Sequence, residues 1–537
     1  MKLCMENKRL TFVTSNNVKL AHARHICKGY DFELTQHKKV FYGVGYDEPR
    51  ITDRDSLLKY SIEDAIKRWK RYASENQLFF IEDTSVVIDA LSEDGKEVPG
   101  VDVKYWMQNK TFAELDAQLR ECGNNRNVTV HSHVVLFLTK GLQSDGEPPY
   151  KIFHGYTHGR IVENEHQFET NILYPWLDNK SFNKWFIPDG YNKPISMLDI
   201  DDANKVDFRR KSIQEMLKFL ETSGAIQKIR IDSTPIQSEF NFQKSYIICG
   251  QTCAGKSTAG QYFLEKYGYY HIEASDFMTL AYFETCGTSF YVDKNIFAAQ
   301  LLKADPHVVV RGLCKYMCHH KIFNRFIITG FRNKEEVLNF LSIYKQFDFS
   351  NILYVDAKYW TRYRRWKNRR RDNILYTVAK FKEINQRQKN MGVVAISKID
   401  KNIVTIPNNG TQLENYYHSL DALMDYKNKA PHNLEFDKLT NIISIKLEKA
   451  ILLALMTKYS DDKYFTTTEI ASLINNVFTS ICKRKNKNNI SRYFNQAFYP
   501  YYEIKRDENN VIKYKLSPTG YSEAIMIYRH LLETSAI

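Results

Sequence analysis

A glycine-rich motif at residues 250–257 constrains the fold of this chain more than any other feature. The motif reads Gly250, Gln251, Thr252, Cys253, Ala254, Gly255, Lys256 and Ser257, and it matches the pattern G-x-x-x-x-G-K-[ST]. A short apolar run (SYIIC) precedes it, and a helical pattern that begins with Thr258 follows it. Such a unit binds phosphate, because the glycines let backbone N–H groups close round the oxygens at a helix N-terminus. We expect Lys256 to contact the β- and γ-phosphates of a nucleotide and Ser257 to ligate Mg²⁺.

Charged residues follow this motif in an order that suits phosphoryl transfer. Asp276 comes after a second short strand, and the runs at 308–313 (VVVRGL) and 326–330 (FIITG) are predicted as further strands. An arginine-dense segment, TRYRRWKNRRRDN, comes later. Arginines can surround the equatorial oxygens of a transferring phosphoryl group, although such a segment could also be a solvated helix face or a nucleic-acid patch. The candidate arginines are Arg311, Arg332, Arg365 and Arg369.

In this order of elements, residues 245–429 resemble nucleoside monophosphate kinases and dephospho-CoA kinase. The resemblance implies a three-layer fold with a parallel sheet, ATP as phosphoryl donor, and a lid formed by the arginine-dense segment. It also places Asn408 and Gly410 near the adenine. Thr329 is a departure, because many family members have Asp at that position. We therefore expect Asp276 to take more of the metal-binding or acceptor role.

The N-terminal block carries a second candidate phosphate site. Thr14, Asn16 and Lys19 follow the first predicted strand in T-x-N-x-x-K spacing, a pattern that a simple helix cap would also give. Glu82 and Asp83 stand at the end of an apolar strand in the run FFIEDTS. Two adjacent carboxylates are unfavourable there unless they bind a cation or a proton donor. The pair therefore points to a bound cation or a proton donor.

Five pieces in this order, TSNNVK, IEDTS, PGVDVKYW, FHGYTHGRIV and FIPDG, resemble the inosine triphosphate pyrophosphatase family. The resemblance implies an α/β fold with a long central sheet between two lobes, a homodimer, and Mg²⁺-dependent hydrolysis of an NTP to NMP and pyrophosphate. It assigns phosphate contacts to Thr14, Asn16, Lys19 and Lys67, metal binding to Asp55 and Glu82, and activation of the attacking water to Asp83.

The residues expected to contact the base depart from the family pattern. Phe182 and Asn183 stand where the family has an aromatic–Asp pair, and Ala203 replaces a lysine. The family's Ser-His-Arg becomes Asp-Phe-Arg, so that only Arg209 is retained. An Asn side chain both donates and accepts hydrogen bonds, whereas an ionised Asp only accepts them. We therefore expect a base other than hypoxanthine or xanthine, or binding without turnover.

The C-terminal block is predicted to form a small winged-helix-like domain. Three helical patterns come first, and YYEIKRDENNVIKYKLSP then has the pattern of a two-stranded hairpin. The basic residues near the third helix, where DNA-binding members of that fold contact phosphates, are Lys483, Arg484, Lys485, Lys487 and Arg492. A protein-interaction or dimerisation module is an equal alternative, because the sequence identifies no base-reading residue.

Net charge, the length of apolar runs and the number of cysteines limit the cellular setting in which this protein is expected. The net charge of +14 fits either phosphate-bearing partners or lysine-rich solvated surfaces. The run AILLALM (450–456) is far shorter than a membrane span, and the N-terminus lacks the apolar core of a secretory signal. Nine cysteines are too sparse for a disulfide scaffold, so we expect a reducing, cytoplasmic setting. The run CKYMCHHK, together with His131 and His133, is interpreted as structural.

The sequence therefore predicts a multidomain α/β chain. It comprises an elongated mixed-sheet pyrophosphatase-like domain (1–224), a linker (225–244), a P-loop kinase-like domain (245–429), a linker (430–440) and a winged-helix-like domain (441–537). The leading functional hypothesis is a bifunctional enzyme that hydrolyses an NTP or dNTP to the monophosphate and phosphorylates a (deoxy)nucleoside monophosphate with ATP. One alternative is a nucleotide sensor whose C-terminal domain signals to DNA or a protein. Another makes the middle domain a regulatory ATPase.

Overall fold

The computed structural model describes most of the chain. The described residues are 9–37, 53–69, 77–93, 96–228, 245–288, 292–319, 325–344, 347–369, 376–423, 445–461, 463–478, 483–496 and 499–535. The chain divides into two compact units, of which the first comprises residues 1–229, 284–292 and 494–497 and the second comprises the rest. None of the helices in the described ranges has the length and apolarity needed to cross a membrane.

The first unit contains a seven-stranded mixed sheet. Its strands are β1 (Arg9–Val13), β2 (Glu33–His37), β3 (Leu78–Ile88), β4 (Pro99–Gly100), β5 (Asn127–Phe137), β6 (Tyr150–Ile161) and β7 (Phe186–Pro188). Its helices are α1 (Asn17–Cys27), α2 (Arg54–Trp69), α3 (Val103–Asn109), α4 (Phe112–Glu121), α5 (Ile200–Val206) and α6 (Phe208–Thr222). The strand order is β2-β1-β3-β5-β6-β7, with β4 paired to β3. Strands β2, β1 and β3 are parallel, and the pairs from β3 to β7 are antiparallel.

The two faces of this sheet are covered by different helices. Phe80 and Val134 share an apolar cluster with residues of α1 and α6, including Ile213. The neighbouring Phe79 and Val135 belong to a separate cluster with α2. Because successive side chains of a strand point to opposite faces, the even-numbered residues of β3 face α6 and the odd-numbered ones face α2.

The second unit contains a five-stranded parallel sheet, as the sequence predicted. Its strands are β8 (Tyr246–Cys249), β9 (Tyr270–Glu273), β10 (Phe326–Thr329), β11 (Ile352–Asp356) and β12 (Val404–Pro407), in the order β12-β11-β8-β10-β9. The accompanying helices are α7 (Lys256–Tyr267), α8 (Ala274–Cys286), α9 (Lys294–Ala304), α10 (Val308–His319), α11 (Lys334–Ile343), α12 (Tyr359–Arg369), α13 (Val378–Asn390) and α14 (Leu413–Asp421). The carboxyl ends of the strands share one edge, where the glycine-rich loop and the residues after β9, β10 and β12 meet.

The strand predicted for 308–313 is wrong, because these residues begin helix α10. Val309, Val310, Leu313 and Met317 are buried, which is the spacing of one helix face. A short run of β-branched residues does not distinguish a strand from a buried helix, and burial of this face outweighs the strand propensity of valine. Arg311 therefore lies within a helix rather than in a loop after a strand.

The C-terminal elements appear in the predicted order. Helices α15 (Leu447–Met456), α16 (Thr467–Val477) and α17 (Lys487–Gln496) precede a hairpin of β13 (Tyr502–Arg506) and β14 (Ile512–Leu516). A further helix, α18 (Pro518–Ser535), was not predicted. Pro518 at its first position was a start signal that the sequence offered. Assignment to the winged-helix class stays a prediction, as do the domain boundaries, and residues 229–244 and 430–440 lie outside the described ranges.

Candidate functional site

Glu82 is the centre of a buried ion-pair network on the α6 side of the first sheet. The residue is 4% exposed, and its carboxylate lies 3.1 Å from Nε of Arg209 and 3.0 Å from Nζ of Lys19. The hydroxyls of Thr84 and Ser132 each donate a hydrogen bond of 2.8 Å to Oε1. Burial alone would raise the pKa of Glu82, but the two cations outweigh it and lower the pKa well below its usual range. Glu82 is therefore ionised and paired, and binding a metal would require these ion pairs to open.

The turn after β1 forms the N-terminal cap of α1. The side chain of Asn16 accepts hydrogen bonds from the backbone N–H groups of Val18 (2.9 Å) and Lys19 (3.1 Å), and therefore caps α1. Thr14 Oγ1 accepts from the backbone N–H of Asn16 at 3.1 Å. The structure brings Lys19 to Glu82, so that the predicted phosphate turn and the predicted acidic pair lie together.

Arg209, the retained residue of the predicted base-reading end, is buried and paired with Glu82. Its Nη2 donates to Thr84 Oγ1 at 2.9 Å, and its Nη1 lies 3.2 Å from Nδ1 of His22. His22 Nε2 lies 2.5 Å from the Asp207 carboxylate, and the His22 ring stacks on Trp176 with centroids 4.4 Å apart. Arg209, His22, Asp207 and Trp176 are each less than a tenth exposed. A base can reach Arg209 here only if this cluster rearranges.

The other predicted base-end residues are also largely enclosed. Phe182 is 5% exposed and Ala203 is 2% exposed. Asn183 is partly buried, and its side-chain amide donates to the backbone carbonyl of Trp176 at 3.4 Å. The departures noted in the sequence therefore coincide with a packed, internally bonded region.

Asp83 faces the opposite side of the sheet, towards α2. The strand pairing places Asp83 directly opposite His133 on β5, and His133 directly opposite His154 on β6. Asp55, in the first turn of α2, lies close enough to His154 to oppose the lowering of that imidazole's pKa by burial and by Arg54. Asp83 and Asp55 thus approach the same face, and Asp55 is 88% exposed.

Lys67 lies apart from this group. It is exposed in the last turn of α2, twelve residues after Asp55, which corresponds to roughly 18 Å along the helix axis. The structure therefore brings Thr14, Asn16, Lys19, Glu82 and Arg209 together and places Asp83 with Asp55, and it separates Lys67 from Asp55.

Acid should destabilise the first unit because of two imidazoles on α1, of which His22 is buried and His25 is partly buried. Burial, and the nearby Lys28 cation, lower the pKa of His25 to about 3, and burial lowers that of His22. Below pH 6.5 these imidazoles are protonated in the unfolded chain but stay neutral in the folded chain. The free energy of unfolding therefore falls as the pH falls towards the pKa that each imidazole has in the folded chain. The decrease is up to about 1.4 kcal/mol per pH unit for each imidazole.

We therefore expect the melting temperature to decrease between pH 6.5 and pH 4, as measured by circular dichroism. The His25→Gln variant, which removes one titrating group, should show a shallower slope. An identical slope in both proteins would show that His25 does not contribute.

Two glycines of the loop between β8 and α7 adopt backbone angles that other residues rarely adopt. Gly250 and Gly255 have φ angles of 142° and 117°, a region that favours glycine. A Cβ at Gly255 would lie 2.4 Å from Nδ2 of Asn408, and one at Gly250 would lie 2.4 Å from the carbonyl oxygen of Val355. Lys256 begins α7, and its Nζ donates to the carbonyl of Gln251 at 3.0 Å. The remaining predicted loop residues, through Ser257 and Thr258, lie in this loop and the first turn of α7.

Arg365 on α12 forms hydrogen bonds with backbone carbonyls of this loop. Its guanidinium donates to the carbonyls of Cys253 (3.4 Å) and Ala254 (3.3 Å) and to Oδ1 of Asn408 (3.0 Å). It also donates to the carbonyl of Gly410 at 3.1 Å. The structure thus brings Arg365 to the two residues predicted near the adenine.

The other candidate arginines are placed less closely. Arg369 is exposed one turn further along α12, and its charge contributes to lowering the pKa of Lys256, after burial as the main cause. Arg332 follows β10 and is partly buried. Arg311 forms an ion pair with Asp305 at 2.7 and 3.0 Å. Of the four, the structure brings Arg365 to the loop and Arg369 within electrostatic reach of Lys256.

Asp276 contacts the unpredicted helix α18. The backbone N–H of Thr519, in the first turn of α18, donates to Oδ2 of Asp276 at 3.2 Å. Thr519 Oγ1 accepts from the backbone N–H of Glu273 at 3.0 Å. The Glu273 carboxylate accepts from the hydroxyls of Ser275 (2.8 Å) and Thr329 (2.6 Å). Burial, and then the Glu273 charge, raise the pKa of Asp276 well above its usual range. Asp276 has a structural partner, and its catalytic role stays a prediction.

The Asp276→Asn variant distinguishes these roles. The amide oxygen of Asn can still accept a hydrogen bond from the Thr519 N–H. The substitution also removes a carboxylate whose charged form burial disfavours, so we expect unchanged or higher thermal stability at pH 7. The Asp276→Leu variant removes the acceptor and should lose about 1–3 kcal/mol of stability. A large loss of stability in Asp276→Asn, measured by urea unfolding, would contradict this account.

Two further sequence interpretations concern metal and nucleic acid. Among the described residues, no group of three or more His, Cys, Asp or Glu side chains is placed to hold a metal ion. Cys314 is buried in α10, as a core residue would be. Lys483, Arg484 and Lys487 are exposed near the start of α17, and Arg492 is exposed within it, so the predicted nucleic-acid surface is accessible and stays a prediction.

Comparison with known proteins identifies the N-terminal region. Residues 10–219 match the Ham1 family, so the chain carries a Ham1-family domain there. A dITP/XTP pyrophosphatase of Thermococcus kodakarensis is 23% identical over 212 residues, covering 40% of this chain and 97% of the relative. An inosine triphosphate pyrophosphatase of Encephalitozoon intestinalis is 24% identical over 191 residues, covering 35% of this chain and 88% of the relative.

Solved structures of such proteins align with the same share of the chain. A HAM1 protein from Coxiella burnetii aligns with 18% identity and a TM-score of 0.30, covering 40% of this chain and 98% of that protein. The Ham1 protein of Staphylococcus aureus aligns with 17% identity and a TM-score of 0.29, covering 40% of this chain and 99% of that protein.

Proposed function

We propose that the N-terminal unit hydrolyses a nucleoside triphosphate to the monophosphate and pyrophosphate. The placement of the acidic pair carries this proposal. Glu82 is held ionised by Lys19 and Arg209, next to the turn formed by Thr14 and Asn16. Asp83 points to the other face with Asp55. The similarity to curated pyrophosphatases over nearly their full length supports the same reaction.

In this reaction, one set of residues would bind the phosphates and another would transfer the proton. Lys19 would bind phosphate oxygens close to the N-terminus of α1, whose positive potential favours anions. Asp83 would accept a proton from a water whose oxygen attacks the α-phosphorus. The bond from the α-phosphorus to the bridging oxygen then breaks, and pyrophosphate leaves with that oxygen.

The carboxylates on the α2 side fit a magnesium ion in donor chemistry. Mg²⁺ at phosphate-transfer sites is usually held by one or two carboxylates together with the substrate phosphates, so a complete protein cage is not required. Asp83 and Asp55 are the two that would hold it, since Glu82 is engaged by cations. The ion would offset the charge of the triphosphate and of the leaving pyrophosphate.

A nucleotide panel tests this proposal. The full chain is incubated with Mg²⁺ and each standard and deaminated NTP and dNTP, and the products are followed by mass spectrometry. We expect at least one nucleotide to yield its monophosphate and pyrophosphate in equal amounts. Tight nucleotide binding without products would instead support the sensor alternative.

As a second function, we propose that the glycine-rich loop uses ATP to phosphorylate a (deoxy)nucleoside monophosphate. Two observations support this proposal. Lys256 lies at the start of α7, directly after the loop, and Arg365 donates hydrogen bonds to the loop carbonyls. The Lys256→Ala variant should lower phosphate transfer by on the order of 100-fold or more, since it removes a cation at the transferring phosphoryl group. Lys303→Ala, at an exposed position on α9, is the matched control. ATP hydrolysis without transfer to any monophosphate would favour the regulatory ATPase.

A further inference from the structure

Five aromatic rings form a continuous array on the α2-side face of strands β5 and β6. The rings of His133 and His154 stack with centroids 4.4 Å apart and planes 12° apart. His131 stacks on His154 at 5.2 Å and 14°. Tyr156 lies 5.5 Å from His154 and 5.1 Å from His158. Because residues two apart on a strand share a face, both strands contribute alternate residues to this array.

The array is pre-formed and open to solvent. Nδ1 of His131 lies 3.0 Å from Nε2 of His154, and Nδ1 of His158 lies 2.9 Å from the hydroxyl of Thr129, so hydrogen bonds fix the rings. His154, Tyr156 and His158 are exposed, and Tyr156 is 47% exposed. Burial, and then the Arg54 charge, lower the pKa of His131 to about 4, so its ring is uncharged at neutral pH. Fixed, exposed aromatic rings are suited to stacking on a planar ligand.

The array begins beside the candidate catalytic carboxylate. Asp83, His133 and His154 are direct cross-strand partners on three adjacent strands. Two strand spacings amount to roughly 10 Å, so His154 and Tyr156 lie within reach of the base of a nucleotide whose α-phosphate is at Asp83. On the other face, two residues predicted to read the base, Phe182 and Arg209, are each less than a tenth exposed.

We propose that the base of the nucleotide stacks on His154 and Tyr156, on the open face of β5 and β6, instead of entering the packed region beside α6. This inference rests on the proposed pyrophosphatase function for the position of the phosphates. Recognition through stacked rings tolerates any planar base, and the neighbouring His131 and His158 can add hydrogen bonds to a base edge.

Binding measurements on base-containing and base-free ligands test the proposal. The full chain with Lys256→Ala, which weakens the proposed ATP site of the second unit, and the same protein with His154→Ala or Tyr156→Ala added are titrated calorimetrically with GTP, dITP, ATP and inorganic tripolyphosphate. Each variant should weaken nucleotide binding by about 10-fold or more, as loss of one stacking ring does elsewhere, and leave the Kd for tripolyphosphate unchanged. Tyr60→Ala, which removes a 44% exposed tyrosine on α2, should change neither.

Two outcomes would overturn the proposal. One is nucleotide binding that is as tight in both variants as in the parent protein, or tripolyphosphate binding that weakens equally. The other is a dimer, seen by analytical ultracentrifugation, that dissociates in both variants, since a second copy would then cover the rings. If no nucleotide is hydrolysed but the variants still weaken nucleotide binding selectively, the pyrophosphatase proposal fails and the stacking site stands.

Discussion

Asp83→Asn will lower the rate of pyrophosphate release by roughly 10²- to 10⁴-fold, the usual contribution of a general base. An amide cannot accept the proton of the attacking water, and it is a weaker metal ligand than a carboxylate. The backbone of β3 and the ion pairs of Glu82 on the other face should be unaffected, so the melting temperature should change little. Initial rates with the best nucleotide of the panel measure the effect.

Asp89→Asn is the matched control for this variant. Asp89 is exposed just beyond the end of β3, and its replacement should leave the rate unchanged. If the Asp83→Asn protein were fully active, Asp83 would not be the general base. Equal losses in both variants would indicate a general effect of charge on this strand.

Glu82→Gln will destabilise the first unit strongly. Removing this charge leaves Arg209 and Lys19, with guanidinium and ammonium side chains 9% and 22% exposed, beside an uncharged amide. Breaking a buried ion pair by neutralising one partner typically costs about 3–5 kcal/mol. In a unit of this size that corresponds to a decrease in melting temperature of roughly 10 °C.

The measurement is made in metal-free buffer, because this separates the ion-pair role from the metal role expected by family resemblance. Asp202→Asn, which breaks an exposed pair with Lys205, is the control and should change stability by no more than about 0.5 kcal/mol. If Glu82→Gln leaves the metal-free protein unchanged and abolishes only its stabilisation by Mg²⁺, Glu82 is a metal ligand and the ion-pair account is wrong.

The local parts of both sites could be predicted from sequence, whereas their long-range partners could not. The loop from Gly250 to Ser257 needs only a strand, a turn and a helix in register, and all three are local. The opposite orientation of Glu82 and Asp83 also follows from the two-residue period of a strand. The pairing of Glu82 with Arg209 depends on how α6 packs on the sheet, which no local pattern encodes.

The errors have similar physical causes. The run Val308–Leu313 combines strand propensity with a helical burial pattern, and the packing of its buried face decided the outcome. Helix α18 had a start signal at Pro518, but its contact with Asp276 joins residues more than 240 positions apart. The structural interpretation of His131 and His133 stays a prediction, and the pairing of β5 with β6 adds neighbouring rings that the sequence alone did not place there.

The position of bond cleavage tests the central claim most directly. The full chain is allowed to turn over its best nucleotide in ¹⁸O-labelled water, and the products are analysed by mass spectrometry. Attack at the α-phosphorus predicts one ¹⁸O atom in the nucleoside monophosphate and unlabelled pyrophosphate. Label in pyrophosphate, or a nucleoside diphosphate with inorganic phosphate as the only products, would contradict a pyrophosphatase site built around Asp83.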